Sequence, residues 1–481
     1  MKPVLTASQM ADSDRYTIET LGIPGIDLME RAARACSNLL LERLEPGQKT
    51  VVITGAGNNG GDGFAIARML LHAGHEVDVL MMFPPEKLGG DALTNYQRLK
   101  ELTHPVDMSS GHVLLKGEYV WIVDAIFGTG LNRAAGGRFA EMIEQMNAHS
   151  AHILAVDLPS GLSGSEGRLL GPAVHAQITV SFQALKLAHT VSPACTHCGM
   201  LVVPDIGIVV PQSIDIGTFL IEASDYHRPA RPPESHKGSF GSLAIVGGFS
   251  GMEGAANLAS KAALRFGCGK VRVYTNNPGN RFHHDSVMVD HISNLTGSYN
   301  AWIIGPGLGR TDESRLHVES LDLSQQRVVW DADGLWCLKN LANDQWGADW
   351  VMTPHPGEAA MLLDCSARDV QGNRIAAIKE LGVRFPGGWI VLKGYRSLIL
   401  SPTGLLFICG SGNAALAVAG SGDVLSGMMG ALFCQGLPPD DAILSAVLRH
   451  GLAADRWVVN HPDYAMLAED IIDDLKYHCV S

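Results

Sequence analysis

Short β-branched runs that close on a glycine loop recur along this 481-residue chain, and most lie far enough apart to hold a helix between them. That rhythm restricts the fold to α/β with parallel sheets, because parallel strands need a crossover and the crossover is usually a helix. "KTVVITG" starts the first series, and "GFAIARMLLHAG" follows it with helical spacing and a terminal glycine. Then come "HEVDVLMM", "YVWIVDAIFGTG", "HILAVDLPSG", "AQITVSF" and "GMLVVPDIG". Ahead of the series, 8–44 reads as two helices parted by a Gly-Ile-Pro-Gly break.

The stretch 222–236, "EASDYHRPARPPESH", is proline-rich and without periodicity, and it is the best linker candidate. After it the rhythm restarts with "GSLAIVGG", a helix, and the strands "KVRVYT", "AWIIGPG", "RVVWDADG", "WVMTPHPG", "WIVLKG" and "SLILSPTG". A helical region closes the chain. Two domains follow from this, 1–217 and 218–481, each α/β.

The 54 glycines fit many tight strand-to-helix turns. A net charge of −13 without a long acidic run argues against a nucleic-acid partner. No stretch reaches the roughly 18 apolar residues that span a bilayer, and the start lacks an apolar leader, so no membrane association and a cytoplasmic location are expected. Nine scattered cysteines read as reduced thiols. The closest pair, Cys195 and Cys198 in "CTHC", lacks the second pair or placed histidines of a structural zinc site.

In open parallel sheets, ligands bind outside the carboxyl ends of the strands. "GAGNNGGDG" at 55–63 lies at such an end and contains GxGxxG, yet the acidic residue a dinucleotide fold needs after the next strand is missing, which speaks against a dehydrogenase. Asn58, Asn59 and Asp62 add polar side chains to backbone donors there. Asp124, and Asp157 with Ser160, end two further strands, and such oxygens suit a hard cation or a hydroxylated ligand.

"ITGAGNNGGDG", "VDAIFGTGL", "AVDLPSGL", "SFQALK" and "VPDIGI" together resemble the NAD(P)HX epimerase family, which acts on hydrated NADH and NADPH. The resemblance runs from about residue 5 to 210 and implies a Rossmann-like three-layer αβα domain. It implies a potassium ion at Asn59, Asp124 and Ser160. Ligand contacts are implied at Asn58, Asn59, Gly60, Gly61 and Asp62, at Gly128, Thr129, Gly130, Leu131, Asn132, Arg133 and Ala134, and at Lys186. Asp157 is implied as the catalytic acid/base. The sequence departs from the family at Arg31, where asparagine is usual. Hydration leaves a hydroxyl on the carbon beside the ring nitrogen, a hemiaminal that opens and recloses with either configuration. A carboxylate that removes and returns the hydroxyl proton speeds both steps.

"AVAGSGDVLSG" at 417–427 offers a glycine loop and a helix start to an anion, with Asp423 placed to accept a proton from an attacking hydroxyl. Gly, Ser and Asp are also ordinary capping residues. This element is similar to the ribokinase-like superfamily, and "HKGSFGSLAIVGG", "IGPGLG", "DADG", "TPHPGE" and "VLKG" precede it in the order of the ADP-dependent NAD(P)HX dehydratase family. The resemblance covers about 225–480 and implies a ribokinase-like αβα domain.

It implies a nucleotide site at Lys393, Gly394, Tyr395, Arg396 and Ser397 and at 413–422, with Asn413, Gly420, Ser421 and Gly422. Gly254, Gly307 and His355 are implied to contact the hydrate, with Asp423 as base. ADP with Mg2+ is the implied cofactor set, Glu358 suits an outer-shell magnesium ligand, and a homo-oligomer is expected. The usual Gly-Asn-Pro is Gly-Asn-Ala at 412–414, which adds a backbone donor. A two-site repair enzyme is the leading reading. A ribokinase-superfamily kinase with an added ligand-binding half is the alternative, distinguished by a stable phosphorylated product. A third reading makes the first half a scaffold without catalysis.

Overall fold

A computed structural model describes residues 1–110, 114–279, 285–339, 346–461 and 465–477. The chain forms two compact units, Pro3–Ile216 and Gly217–Ser481, the latter joined by Met1–Lys2.

The strands of the first unit are β1 (Lys2–Leu5), β2 (Lys49–Thr54), β3 (Glu76–Met81), β4 (Val106–Asp107), β5 (Trp121–Ala125), β6 (His152–Val156), β7 (Ile178–Val180), β8 (Leu185–Lys186) and β9 (Met200–Val202). Seven form one parallel sheet in the order β4-β3-β2-β5-β6-β7-β9. Chain order reverses between β2 and β5, which opens a crevice at their carboxyl ends. Both faces are covered. Leu28, Ala33, Phe64 and Ile66 pack beneath one, while Met142, Ile143 and Met146 of the helix Arg138–Ala148 pack beneath the other. β1 pairs in parallel with β8, Leu5 against Lys186, and so fixes the strand end that carries that lysine.

The second unit holds β10 (Thr218–Ile221), β11 (Ser242–Val246), β12 (Lys270–Thr275), β13 (Val287–His291), β14 (Ala301–Ile304), β15 (Val328–Trp330), β16 (Trp350–Met352), β17 (Trp389–Leu392), β18 (Leu398–Leu400) and β19 (Leu406–Cys409). Their order is β13-β12-β11-β14-β15-β16-β17-β18-β19-β10, with reversal between β11 and β14. Leu243 and Ile245 pack with the helices Glu253–Arg265, Ser421–Cys434 and Pro439–Asn460, and the alternate residues Ala244 and Val246 are equally buried. The sheet is thus covered on both sides, as parallel strands require.

Two expectations need correction. The break between units falls at Ile216–Gly217, so the proline-rich 222–236 lies inside the second unit. Thr218–Ile221 ahead of it pairs with β19. And β18 runs antiparallel to both neighbours, because the connections on either side of it are too short for a crossover.

Candidate functional sites

Glycine sets the geometry at the end of β2. A Cβ on Gly55 would lie 2.0 Å from the Ile126 carbonyl, and one on Gly60 would lie 2.0 Å from the Gly55 carbonyl. Bare glycine therefore lets the helix Asn58–His72 start against the β5 end. The crevice deepens into a cavity of about 830 Å3 lined by Asn58, Asn59, Asp62, Gly128–Arg133, Asp157 and Lys186. Gly60 and Gly61 support the turn from behind, Gly61 against Met29, and Ala134 faces Gly171.

Asp157 follows β6 with φ of 64°, a left-handed conformation costly for a non-glycine residue. The surroundings hold it there. Its N–H donates to the Val180 carbonyl at 2.8 Å, and its carbonyl accepts from His189 Nε2 at 2.9 Å. Lys186 N–H donates to His189 Nδ1 at 3.0 Å, so the ring carries its proton on Nε2. Burial foremost, then the Lys186 charge, pulls the His189 pKa down to about 4 and keeps the ring neutral. Lys186 Nζ donates to Asp157 Oδ1 at 2.6 Å, to Ser181 Oγ at 3.0 Å and to the Phe182 carbonyl at 2.9 Å. All three donor positions of the buried ammonium are filled, and its direction is fixed.

In the second unit the Ser421 helix begins at Gly420, whose φ of +86° turns the chain where a Cβ would meet Leu258 at 2.4 Å. Asp423 is the third residue of that helix, and burial foremost, then the Asp331 charge, raises its pKa to about 7. Lys393 Nζ donates to Asp331 Oδ1 at 2.8 Å, and a Cβ on Gly422 would lie 3.1 Å from that ammonium. Asp331 also accepts from Thr353 Oγ1 at 2.9 Å and Ser426 Oγ at 2.7 Å. Burial alone would raise its pKa, but Lys393 and these hydroxyls hold it below the usual range.

His355 caps its helix, accepting from the Gly357 and Glu358 N–H groups, while Glu358 Oε2 accepts the His355 N–H at 2.8 Å. Its Nδ1 is thereby committed, and the ring, 55% exposed, turns Nε2 to within 3.4 Å of Glu358 Oε1. A Cβ on Gly307 would meet the Met252 carbonyl, two residues before Gly254, so these two glycines lie together at the β11–β14 reversal.

The profile described as "NAD(P)H-hydrate dehydratase" matches residues 243–476, and that described as "YjeF-related protein N-terminus" matches 25–188. The bifunctional NAD(P)H-hydrate repair enzymes Nnr of Coxiella burnetii and Escherichia coli are both 33% identical to this chain. The matches cover 97% and 98% of it, and 97% and 92% of theirs. This chain belongs to the bifunctional NAD(P)H-hydrate repair enzyme family. An ADP/ATP-dependent NAD(P)H-hydrate dehydratase from Bacillus subtilis, co-crystallized with ATP and Mg2+, is 31% identical with a TM-score of 0.47. That match covers 51% of this chain and 91% of the other.

Several bracing residues of this repair-family chain escape motif reading. Buried Arg374 donates to the carbonyls of Leu392, Lys393, Tyr395 and Arg396, holding the whole loop after β17. Arg396 Nη1 in turn donates to the Gly410 carbonyl at 2.6 Å. From the Pro439 helix, Asp455 accepts the Gly412 N–H and Asn413 Nδ2, and His450 Nε2 lies 3.0 Å from the Ser421 carbonyl. The one hint was charge inside an apolar helical run, "AVLRHGLAADRWV". Arg31, the departure from the family, donates to the Ile206 carbonyl at 3.1 Å and braces a cavity wall. Cys198 Sγ contacts the carbonyls of Ala188 and Ala194, and burial pushes its thiol up to about 12.

Among the described residues no helix is long and apolar enough to cross a membrane, and no group of three or more His, Cys, Asp or Glu residues is arranged to hold a metal. Asp124 is the carboxylate at the end of β5, beside the loops of the first unit's cavity. It is fully buried, accepts from Ser160 Oγ at 2.6 Å and Ser160 N–H at 2.7 Å, and forms no ion pair among the described residues. Burial foremost raises its pKa to about 6, the position of a carboxylate that gains from a cation. Asn59, whose Nδ2 is buried without a hydrogen-bond partner, stands beside Gly128.

Proposed function

We propose that this enzyme repairs hydrated nicotinamide nucleotides in two steps on two sites. The first site, in domain 1–217, interconverts the R and S forms of NADHX and NADPHX. The second, in domain 218–481, dehydrates the S form while ADP becomes AMP and phosphate. The observation that carries this reading is a pair of separate carboxylate–lysine centres, Asp157 with Lys186 and Asp423 beside Lys393, each where chain order reverses or a helix begins. The units meeting at Ile216–Gly217 support the domain limits. Free cysteines suit the reducing cytoplasm in which we place it.

At the first site Asp157 takes the hydroxyl proton of the hydrate and returns it on reclosure. Lys186 holds the carboxylate aimed at the cavity, and the loops 58–62 and 128–134 bind the nucleotide. Asn59, Asp124 and Ser160 would hold K+, which supplies positive charge for the ligand's oxygens.

At the second site Lys393–Ser397 and 413–422 bind ADP, while Gly254, Gly307 and His355 contact the hydrate. Asp423 takes the proton as the substrate oxygen attacks the terminal phosphorus and AMP departs. Lys393 and the N–H groups of the Ser421 helix stabilise the transferring charge. Phosphate then leaves the ring carbon as the ring-nitrogen lone pair pushes in, and loss of the neighbouring proton restores the double bond. Mg2+, through Glu358 and waters, would neutralise the nucleotide phosphates.

Product analysis tests this. With S-NADHX and ADP, one AMP and one inorganic phosphate should appear per reduced nicotinamide. A phosphorylated substrate that persists would instead establish the kinase alternative.

A further inference from the structure

Opening the hemiaminal moves two protons. The hydroxyl proton must leave as the carbon–nitrogen bond breaks, and the departing ring nitrogen must gain one. Asp157 accounts for the first proton and nothing yet for the second.

Asp62 lies on the first turns of the Asn58 helix, 8% exposed, and lines the same cavity as Asp157 and Lys186. Among the described residues its carboxyl makes no hydrogen bond and no ion pair. The other buried carboxyl of the unit, Asp124, has three donors, from Ser160 N–H, Ser160 Oγ and Ile126 N–H. A buried polar group without a partner is rare in folded proteins, and at a cavity wall it points to a ligand.

The titratable groups facing it are Asp157, Asp14 and the Cys36 thiol. Burial foremost, then the charges of Asp157 and Asp14, raises its pKa well above the usual carboxylate range. Asp157, by contrast, is ion-paired with Lys186. One cavity thus holds an ion-paired carboxylate and a buried carboxyl without a partner, the contrast of environments that acid–base catalysis uses.

We infer that Asp62 is the second proton carrier of the epimerisation, donating to the ring nitrogen as Asp157 takes the hydroxyl proton. This rests on the epimerase reading above. The carbon–nitrogen bond breaks, the oxygen becomes an aldehyde, and Asp62 gives its proton to the nitrogen. Rotation about the adjacent carbon–carbon bond presents the other aldehyde face. The nitrogen attacks it, its proton returns to Asp62, and Asp157 returns its own to the oxygen. Both acids end as they began.

The test uses the full chain with ADP and an equilibrated epimer mixture, where the R share reports epimerisation and the S share reports dehydration. Asp62→Asn keeps the size and loses the transferable proton. Epimerisation should slow on the order of 10²- to 10³-fold in kcat, with the S share recovered at the parent rate. Its melting temperature should not fall, since no partner is lost. Asp62→Glu should retain part of the rate. Parent epimerisation should decline as pH rises through the Asp62 pKa, and the residual Asp62→Asn activity should lack that limb. Parent-like kcat in Asp62→Asn, or a loss confined to KM, would overturn the assignment. Absence of any acceleration by the parent chain would instead overturn the epimerase reading itself.

Discussion

Lys393 Nζ lies 2.8 Å from Asp331 Oδ1 and 3.7 Å from Glu358 Oε2, so one ammonium is shared by two carboxylates beside the helix turn that carries Asp423. The shared charge does not fully offset burial at Asp423, whose pKa stays raised at about 7. To act as the base we propose, Asp423 must be ionised. Dehydration should rise about tenfold per pH unit below that value and level off above it, as read from kcat/KM against pH.

The same shift has a stability sign. A folded-state pKa above the unfolded value means that the contribution is full below about pH 4 and lost as pH rises through about 7. Asp423→Asn should therefore match the parent in thermal unfolding near the acid end and exceed it above neutrality, while losing dehydration.

Two glycines should separate the activities. A Cβ on Gly422 would lie 3.1 Å from Lys393 Nζ, and one on Gly128 would lie 3.2 Å from Asn59 Oδ1 and 3.5 Å from Asp157 Oδ2. Gly422→Ala should lower dehydration kcat roughly ten- to hundredfold and spare epimerisation. Gly128→Ala should do the reverse, both read from the recovered shares of an epimer mixture.

Arg374→Ala should strip four carbonyls of their donor and cost about 3 kcal/mol in the second unit. The loop after β17 would lose its shape, so KM for ADP should rise about tenfold or more while epimerisation holds. Denaturant unfolding and ADP titration check the two halves of that statement.

His189 joins Lys186 N–H to the Asp157 carbonyl with one ring. His189→Ala should slow epimerisation about tenfold by releasing the strained Asp157 backbone, and His189→Gln, which can both accept and donate, should recover most of it.

Much of this was legible because strand-end loops announce themselves. Glycines at 55–63 and 420–422, with Asp157, Lys186 and Asp423 nearby, sit in short motifs, and the structure brings Asn58, Asn59, Asp62, Asp157 and Lys186 to one cavity and Asp423 beside Lys393. What stayed hidden acts across long separations. Arg374, His450 and Asp455 reach the glycine loops from helices whose own sequence carries no loop signature. β10 and β13 escaped too, since β13 is half-exposed and β10 is short with its first residues half-buried. Asp331 sat in a quoted motif, yet its link to Lys393 spans 62 positions.

The most direct test of the two-site account follows the near-ultraviolet absorbance of the reduced nicotinamide. An equilibrated mixture of NADHX epimers is given ADP and magnesium, with parent chain, Asp423→Asn or Asp157→Asn. The parent should restore all the absorbance and Asp423→Asn none. Asp157→Asn should restore the S share quickly and the rest at the spontaneous rate. A parent chain that restores none, or an Asp157→Asn variant that restores both shares at the parent rate, would contradict it.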